Sequence, residues 1–148
     1  MFRNLRRVKK YRRPGCNLIA AKNIKPSQWK ISDGEVKEAL KHKGCEVKEV
    51  KKIRYLKHQV CISFWDAKGN VCSSFFSYRI FTRWQTTVER LIECCDSLLE
   101  WRRLNQTMRY EFLHYEYLAE MEKALRTALE NRLYALKATL EIAVFHES

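Results

Sequence analysis

The chain has 148 residues, 46% of them apolar and 31% charged, with 29 Lys and Arg against 17 Asp and Glu for a net charge of +12. That length suits one domain, or one small module with an appendage, and the composition is that of a globular protein able to bury a single core. No run approaches the roughly twenty apolar residues of a membrane span, and the six cysteines form no Cys-x-x-Cys pair beside the four scattered histidines, which argues against a zinc finger or ribbon.

The charge is divided unevenly. Residues 1–57 hold eighteen Lys and Arg and five acids, a net +13, whereas residues 58–148 sum to −1. Such a concentration attracts a polyanion.

Residues 1–15 read as a basic arm. Arg3, Arg6, Arg7, Lys9, Lys10, Arg12 and Arg13 stand among the first thirteen residues with no acid, and Pro14-Gly15 closes the run. Mutual repulsion predicts that the arm is disordered without a partner. An Arg-rich, acid-free start also fits an organelle transit peptide, although such peptides usually contain more Ser and Ala. The arm lacks the apolar core segment of a secretory signal, and free, mostly buried thiols in a reducing intracellular compartment are the expectation.

A small α-β-β-β module is expected over residues 16–81. Residues 16–31 carry little signal. Ser32 or Asp33 can cap a short helix over Gly34–Lys43, with Val36, Ala39 and Leu40 inward, Lys37, Lys41 and Lys43 outward, and Gly44 as its stop. Glu46–Leu56, Gln59–Trp65 and Val71–Ile80 are rich in Val, Ile, Tyr, Phe and Trp and read as a three-stranded antiparallel meander. Asp66 to Asn70 suits a hairpin loop with Gly69 in the left-handed position, and Lys57-His58 turns between the first two strands.

Pairing Asp66 with Asn70 sets Phe64 across from Cys72, Ile62 from Ser74 and Val60 from Phe76. Pairing Leu56 with Gln59 sets Tyr55 across from Val60 and Ile53 from Ile62. Ile53, Tyr55, Val60, Ile62, Phe64, Cys72, Phe76 and Tyr78 then share one face. The other face collects Lys48, Val50, Lys52, Arg54, Cys61, Ser63, Trp65, Val71, Ser73, Phe75 and Ser77.

Residues 82–148 turn to helical periodicity, with no Gly or Pro after Gly69. Val88, Leu91, Ile92, Cys95, Leu98 and Leu99 recur at three- and four-residue spacing, as do Phe112, Tyr115, Leu118, Leu125, Leu129, Leu136 and Leu140. A break at Asn105-Gln106-Thr107 predicts a helical hairpin, about 83–103 and 107–144. Its second helix is long enough to seek a partner within the chain or a coiled coil with another copy. The fold expected is α+β: basic arm, short helix, meander, long C-terminal helical hairpin.

Catalytic patterns are weak. Four glycines cannot form a phosphate-binding loop, and Glu89/Glu93 and Glu116/Glu120 are spaced as solvated helix faces. Glu111 and His114 lack the second copy that carboxylate-bridged metal bundles require. Cys94-Cys95 sits where core packing explains it. Trp101, Tyr110, Phe112, Tyr115 and Tyr117 suit packing within the hairpin better than an exposed interface. No enzyme, metal or cofactor is expected.

The remaining constellation is basic. Lys48, Lys52 and Arg54 share a sheet face with Trp65 and Phe75, where spaced cations meet phosphates and an exposed ring can support an unstacked base. The competing arrangement packs Trp65 and Phe75 under a helix and leaves the lysines at the rim; the need to dock the amphipathic helices favours it. With the seven cations of the arm, these five residues are the candidate contacts of a non-enzymatic nucleic-acid-binding protein, for RNA or DNA alike. Residues 82–144 would serve self-association or a protein partner. The alternative is a helical adaptor whose basic half meets an acidic protein or a membrane surface.

Overall fold

The structure, a computed structural model, describes residues 17–147, with side chains as far as residue 143. The basic arm expected over residues 1–15 lies outside the described residues. The fold is α+β, with a three-stranded antiparallel sheet in the order β1-β2-β3 and four helices, the last of them long. Of the described residues, 24–86 form one compact unit and 17–23 with 87–147 another.

In the first unit, helix α1 (Asp33–His42) starts at a reciprocal cap. The Ser32 hydroxyl accepts from Glu35 N at 3.2 Å, and the Glu35 carboxylate accepts from Ser32 N at 3.2 Å, so two otherwise orphaned amides are satisfied. The helix stops where Cys45 N reaches back to Leu40 O (2.9 Å) and Gly44 N to Lys41 O (3.1 Å). That closure requires a left-handed residue, and Gly44 has φ +78°.

Strands β1 (Val47–Tyr55), β2 (Gln59–Asp66) and β3 (Val71–Ser77) follow. The β2–β3 register has the expected pairs Phe64–Cys72, Ile62–Ser74 and Val60–Phe76, and β1–β2 has Tyr55–Val60 and Ile53–Ile62. Asp66 organises the connecting loop. Its carboxylate accepts from Lys68 N and Asn70 N at 3.0 and 2.8 Å, and Gly69 takes φ +83°. β3 ends three residues earlier than expected, because the Ser77 hydroxyl accepts from Arg79 N and starts a 3₁₀ turn over Tyr78–Ile80.

One sheet face carries the core. Val60, Ile62 and Phe64 are buried on it, with Val36, Ala39 and Leu40 of α1, which packs against β1. Trp29 meets Tyr78 and the buried Trp84 edge-on, at centroid distances of 5.7 and 6.4 Å. The Tyr78 hydroxyl donates to Leu56 O at 2.6 Å, and burial is the main cause pushing its pKa up to about 12. Arg83 clasps Glu35 with two hydrogen bonds, 2.9 Å from Nε and 2.6 Å from a terminal nitrogen, and so ties the start of helix α2 (Thr82–Glu93) to α1.

The helical region departs from the expected hairpin. After α2 come α3 (Leu98–His114) and α4 (Ala119–Glu147), three helices where the periodicity suggested two. Asn105-Gln106-Thr107 lies inside α3. The Thr107 hydroxyl donates to Arg103 O at 3.2 Å, one turn back, so it finds an acceptor without ending the helix. The first break falls at residues 94–97. Ser97 caps α3 by accepting from Glu100 N, and Arg132 of α4 donates twice to Cys95 O, at 2.9 and 2.6 Å. The second break follows His114, where the Tyr117 hydroxyl donates to the carboxylate of buried Glu111 at 2.5 Å.

The same carboxylate accepts from Leu18 N at 3.0 Å, and Asn17 donates to the Tyr115 hydroxyl at 3.0 Å, which fixes residues 17–23 to the end of α3. Val88, Ile92, Cys95, Leu104, Met108, Met121, Leu125, Leu129 and Leu136 supply the apolar interior.

Candidate nucleic-acid interface

The site begins with an irregularity in β1. Its inward residues are Val47, Val50, Ile53 and Tyr55, so the spacing is three, three, two instead of two throughout. Register shifts at Val47/Glu49 and Val50/Lys52 produce it: Lys52 pairs with Ser63, but Val50 pairs with Phe64 and Glu49 with Trp65. Lys51 and Lys48 are the extra residues, each in a β-bulge. Val50, expected among the cations, therefore turns to the core side. Lys51, assigned to neither face by the sequence pattern, joins the cationic side, with its ammonium 5.8 Å from the centroid of the Trp65 ring.

The outer face is consequently a ladder of three cross-strand rows. Arg54, Cys61 and Phe75 form the first. Lys52, Ser63 and Ser73 form the second, with the two serine hydroxyls 3.0 Å apart. Glu49, Trp65 and Val71 form the third. Trp65 is 37% exposed and Phe75 57% exposed, so within residues 24–86 neither ring is buried under a helix.

Lys48, Lys51, Lys52 and Arg54 are all exposed. Among the described residues no carboxylate lies within ion-pair distance of these four; the ion pairs present join Arg83 to Glu35, Arg126 to Glu122 and Arg132 to Asp96. Glu49 is the one acid in the three rows. The positive potential extends to the β1–β2 turn, where burial, then the charges of Lys57 and Arg79, lower the pKa of His58. At the other end of β1, Lys37 and Lys41 line a cavity of about 490 Å³ with Gly44, Cys45, Glu46 and Val47.

Lysines and bulges also protect an edge strand such as β1 from pairing with another chain. That role calls for charge along the edge. It gives no reason for two aromatic rings standing exposed on the adjacent face.

Of the expected contacts, Lys48, Lys52, Arg54, Trp65 and Phe75 are brought onto or beside this one face. Arg3, Arg6, Arg7, Lys9, Lys10, Arg12 and Arg13 lie outside the described residues. Lys51 was missed, and its signal was the Val47-x-x-Val50-x-x-Ile53 spacing, which strict alternation cannot bury on one side.

Other candidate chemistry disperses. Among the described residues no group of three His, Cys, Asp or Glu side chains is placed to hold a metal ion. Glu111 is committed to Leu18 and Tyr117, and His114 packs against Tyr110 with centroids 4.2 Å apart and the rings tilted by 47°. Desolvation is the main cause raising the thiol pKa values of Cys72 and Cys95, which disfavours the thiolate a nucleophile needs. The tyrosines pack among themselves and their neighbours, Phe112 on Tyr117 and Tyr110 on Tyr115, and Trp101 donates to Leu129 O at 2.9 Å. No described helix is long and apolar enough to cross a membrane.

No protein-family model, curated protein sequence or solved structure matches the chain.

Proposed function

We propose that this is a non-enzymatic nucleic-acid-binding protein whose basic arm and outer sheet face hold phosphates, while its C-terminal helices mediate self-association or docking. The observation that carries the reading is the set of cations on and beside β1 with no carboxylate partner on the described surface. A cation already paired within the fold releases no counterion when a phosphate arrives; an unpaired one does.

With six to eight cations on phosphates, the logarithm of affinity for duplex should fall against the logarithm of salt with slope about −5 to −7, and less steeply for single strands. An anisotropy titration at several salt concentrations measures it, and a flat response refutes the reading. Phosphate contacts position a polynucleotide without reading its sequence, so little sequence preference is expected.

The helical role has its own support. Beyond Leu136 the α4 side chains through residue 143 are all exposed, Leu140 and Ile142 among them. A helix end that leaves apolar residues in water suits a second copy of the chain or a protein partner. This feature also favours the alternative reading as a helical adaptor. Light scattering with and without oligonucleotide separates the two, because an adaptor would assemble and ignore nucleic acid even at low salt.

A further inference from the structure

The geometry points to single-stranded nucleic acid as the ligand of the outer sheet face, bound across three successive nucleotides with the first and third bases stacked on Trp65 and Phe75. This rests on the nucleic-acid reading above and goes beyond it, since phosphate contacts alone would accept a duplex equally well.

Register sets the spacing. Trp65 lies opposite Val71 and Phe75 opposite Cys61, so the rings stand on neighbouring strands four residues apart along the sheet. At about 3.3 Å per residue and about 4.8 Å between strands, that places their backbones about 14 Å apart. Stacked nucleotides rise about 3.4 Å. A strand extended to roughly twice that rise covers the gap in two steps, one base to each ring with one between them. The middle base lies over the row containing the Ser63–Ser73 hydroxyl pair, where both an acceptor and a donor are available.

The cations lie on the side that this path requires. Arg54 and Lys52 occupy the β1 ends of the Phe75 and Ser73 rows, and the Lys51 bulge lies between Lys52 and the row that holds Trp65. The sugar-phosphate backbone thus follows β1 while its bases reach across β2 and β3. Lys51 rests near the Trp65 ring in the free protein. A base that takes the ring displaces the ammonium toward the backbone, exchanging a weak exposed cation–π contact for a phosphate. Duplex offers no such exchange, because its bases are already stacked on one another.

The test uses labelled twelve-nucleotide ribo- and deoxyribo-strands, an abasic strand with the same number of phosphates, and a duplex of equal length, titrated against the full chain. Base-bearing single strands should bind more tightly than the abasic strand. W65A and F75A should each weaken base-bearing strands at least about fivefold, leave the abasic strand and duplex unchanged, and W65F should retain most of the affinity. Circular dichroism checks that each variant keeps its fold. Equal binding of base-bearing and abasic strands, both falling with salt, overturns the stacking path and leaves phosphate binding standing. Failure of every strand to bind at low salt overturns both. Agreement between ribo- and deoxyribo-strands supports stacking as the common basis; a ribose preference with no effect of W65A or F75A overturns it.

Discussion

The ammonium of Lys51 lies 5.8 Å from the centroid of the Trp65 ring, and a β-bulge puts it there. Regular alternation through residues 47–55 would send Lys51 to the same side as Ile53, into the core. The bulge removes that conflict and adds a cation to the outer face. K51A should therefore reduce the magnitude of the salt slope on single strands by about 0.7 and leave the melting temperature nearly unchanged. K137A, at an exposed position of α4, serves as the control and should leave the slope as it is.

The Arg83–Glu35 clasp carries a pH dependence. Its hydrogen bond is the main cause lowering the Glu35 pKa from an ordinary value of 4.5. A carboxylate whose pKa is lower folded than unfolded binds its proton more readily unfolded. Its stabilisation is thus fully present above 4.5 and is lost as the pH falls through the lowered folded value. E35Q keeps a side chain able to complete the cap at Ser32 but removes the charge. Both partners are partly exposed, so the cost at neutral pH should be about 0.5–1 kcal/mol. Urea titrations should show that gap closing in acid; a gap that persists well below the folded pKa would show that shape, and not charge, holds the two helices.

Glu111 is buried and binds two elements at once, accepting from Leu18 N and the Tyr117 hydroxyl. E111A leaves a buried amide and a hydroxyl without this acceptor and should cost about 2–3 kcal/mol. Y117F removes one hydrogen bond and should cost about 1 kcal/mol. Chemical denaturation orders the pair. Equal costs would mean that the contact with Leu18 contributes nothing.

Two turn closures of the same geometry provide a comparison of backbones. Asn23 N reaches Leu18 O and Lys22 N reaches Ile19 O, as Cys45 and Gly44 do at the end of α1, but the left-handed position holds Lys22 at φ +62° in one and Gly44 at φ +78° in the other. A Cβ at Gly44 would meet nothing within 4 Å, so G44A carries the conformational cost alone, about 1 kcal/mol. K22G should stabilise by up to about 1 kcal/mol. Thermal melts of the two variants should move in opposite directions.

How much of this was legible in the chain depended on whether the deciding interaction was local. The β2–β3 register followed from Gly69 and from apolar alternation, which a one-residue slip would have destroyed. The cap at Ser32 and the stop at Gly44 were equally local. The first break in the helical region had a signal in Ser97-x-x-Glu100, but Asn105-Gln106-Thr107 was the more polar stretch and drew the boundary instead. The second break has no local signal. It accompanies contacts of Tyr115 and Tyr117 with Asn17 and Glu111, the first of them 98 residues away. Burial of Trp65 and Phe75 was the favoured expectation for a similar reason, since nothing local to β2 and β3 shows whether their outer face is covered.

The division of labour between the arm and the sheet leads to the last prediction. Asn17 and Leu18 hold residues 17–23 to the end of α3 through hydrogen bonds of their own. Removing residues 1–13 subtracts seven cations. The truncated protein should keep its circular dichroism spectrum and melting temperature, and its duplex salt slope should fall in magnitude by several. Single-strand binding should persist at low salt, still sensitive to W65A, because stacking does not depend on the arm. Loss of the fold on truncation would make residues 1–13 structural. An unchanged slope would show that the cations beside β1 account for all the phosphate contacts.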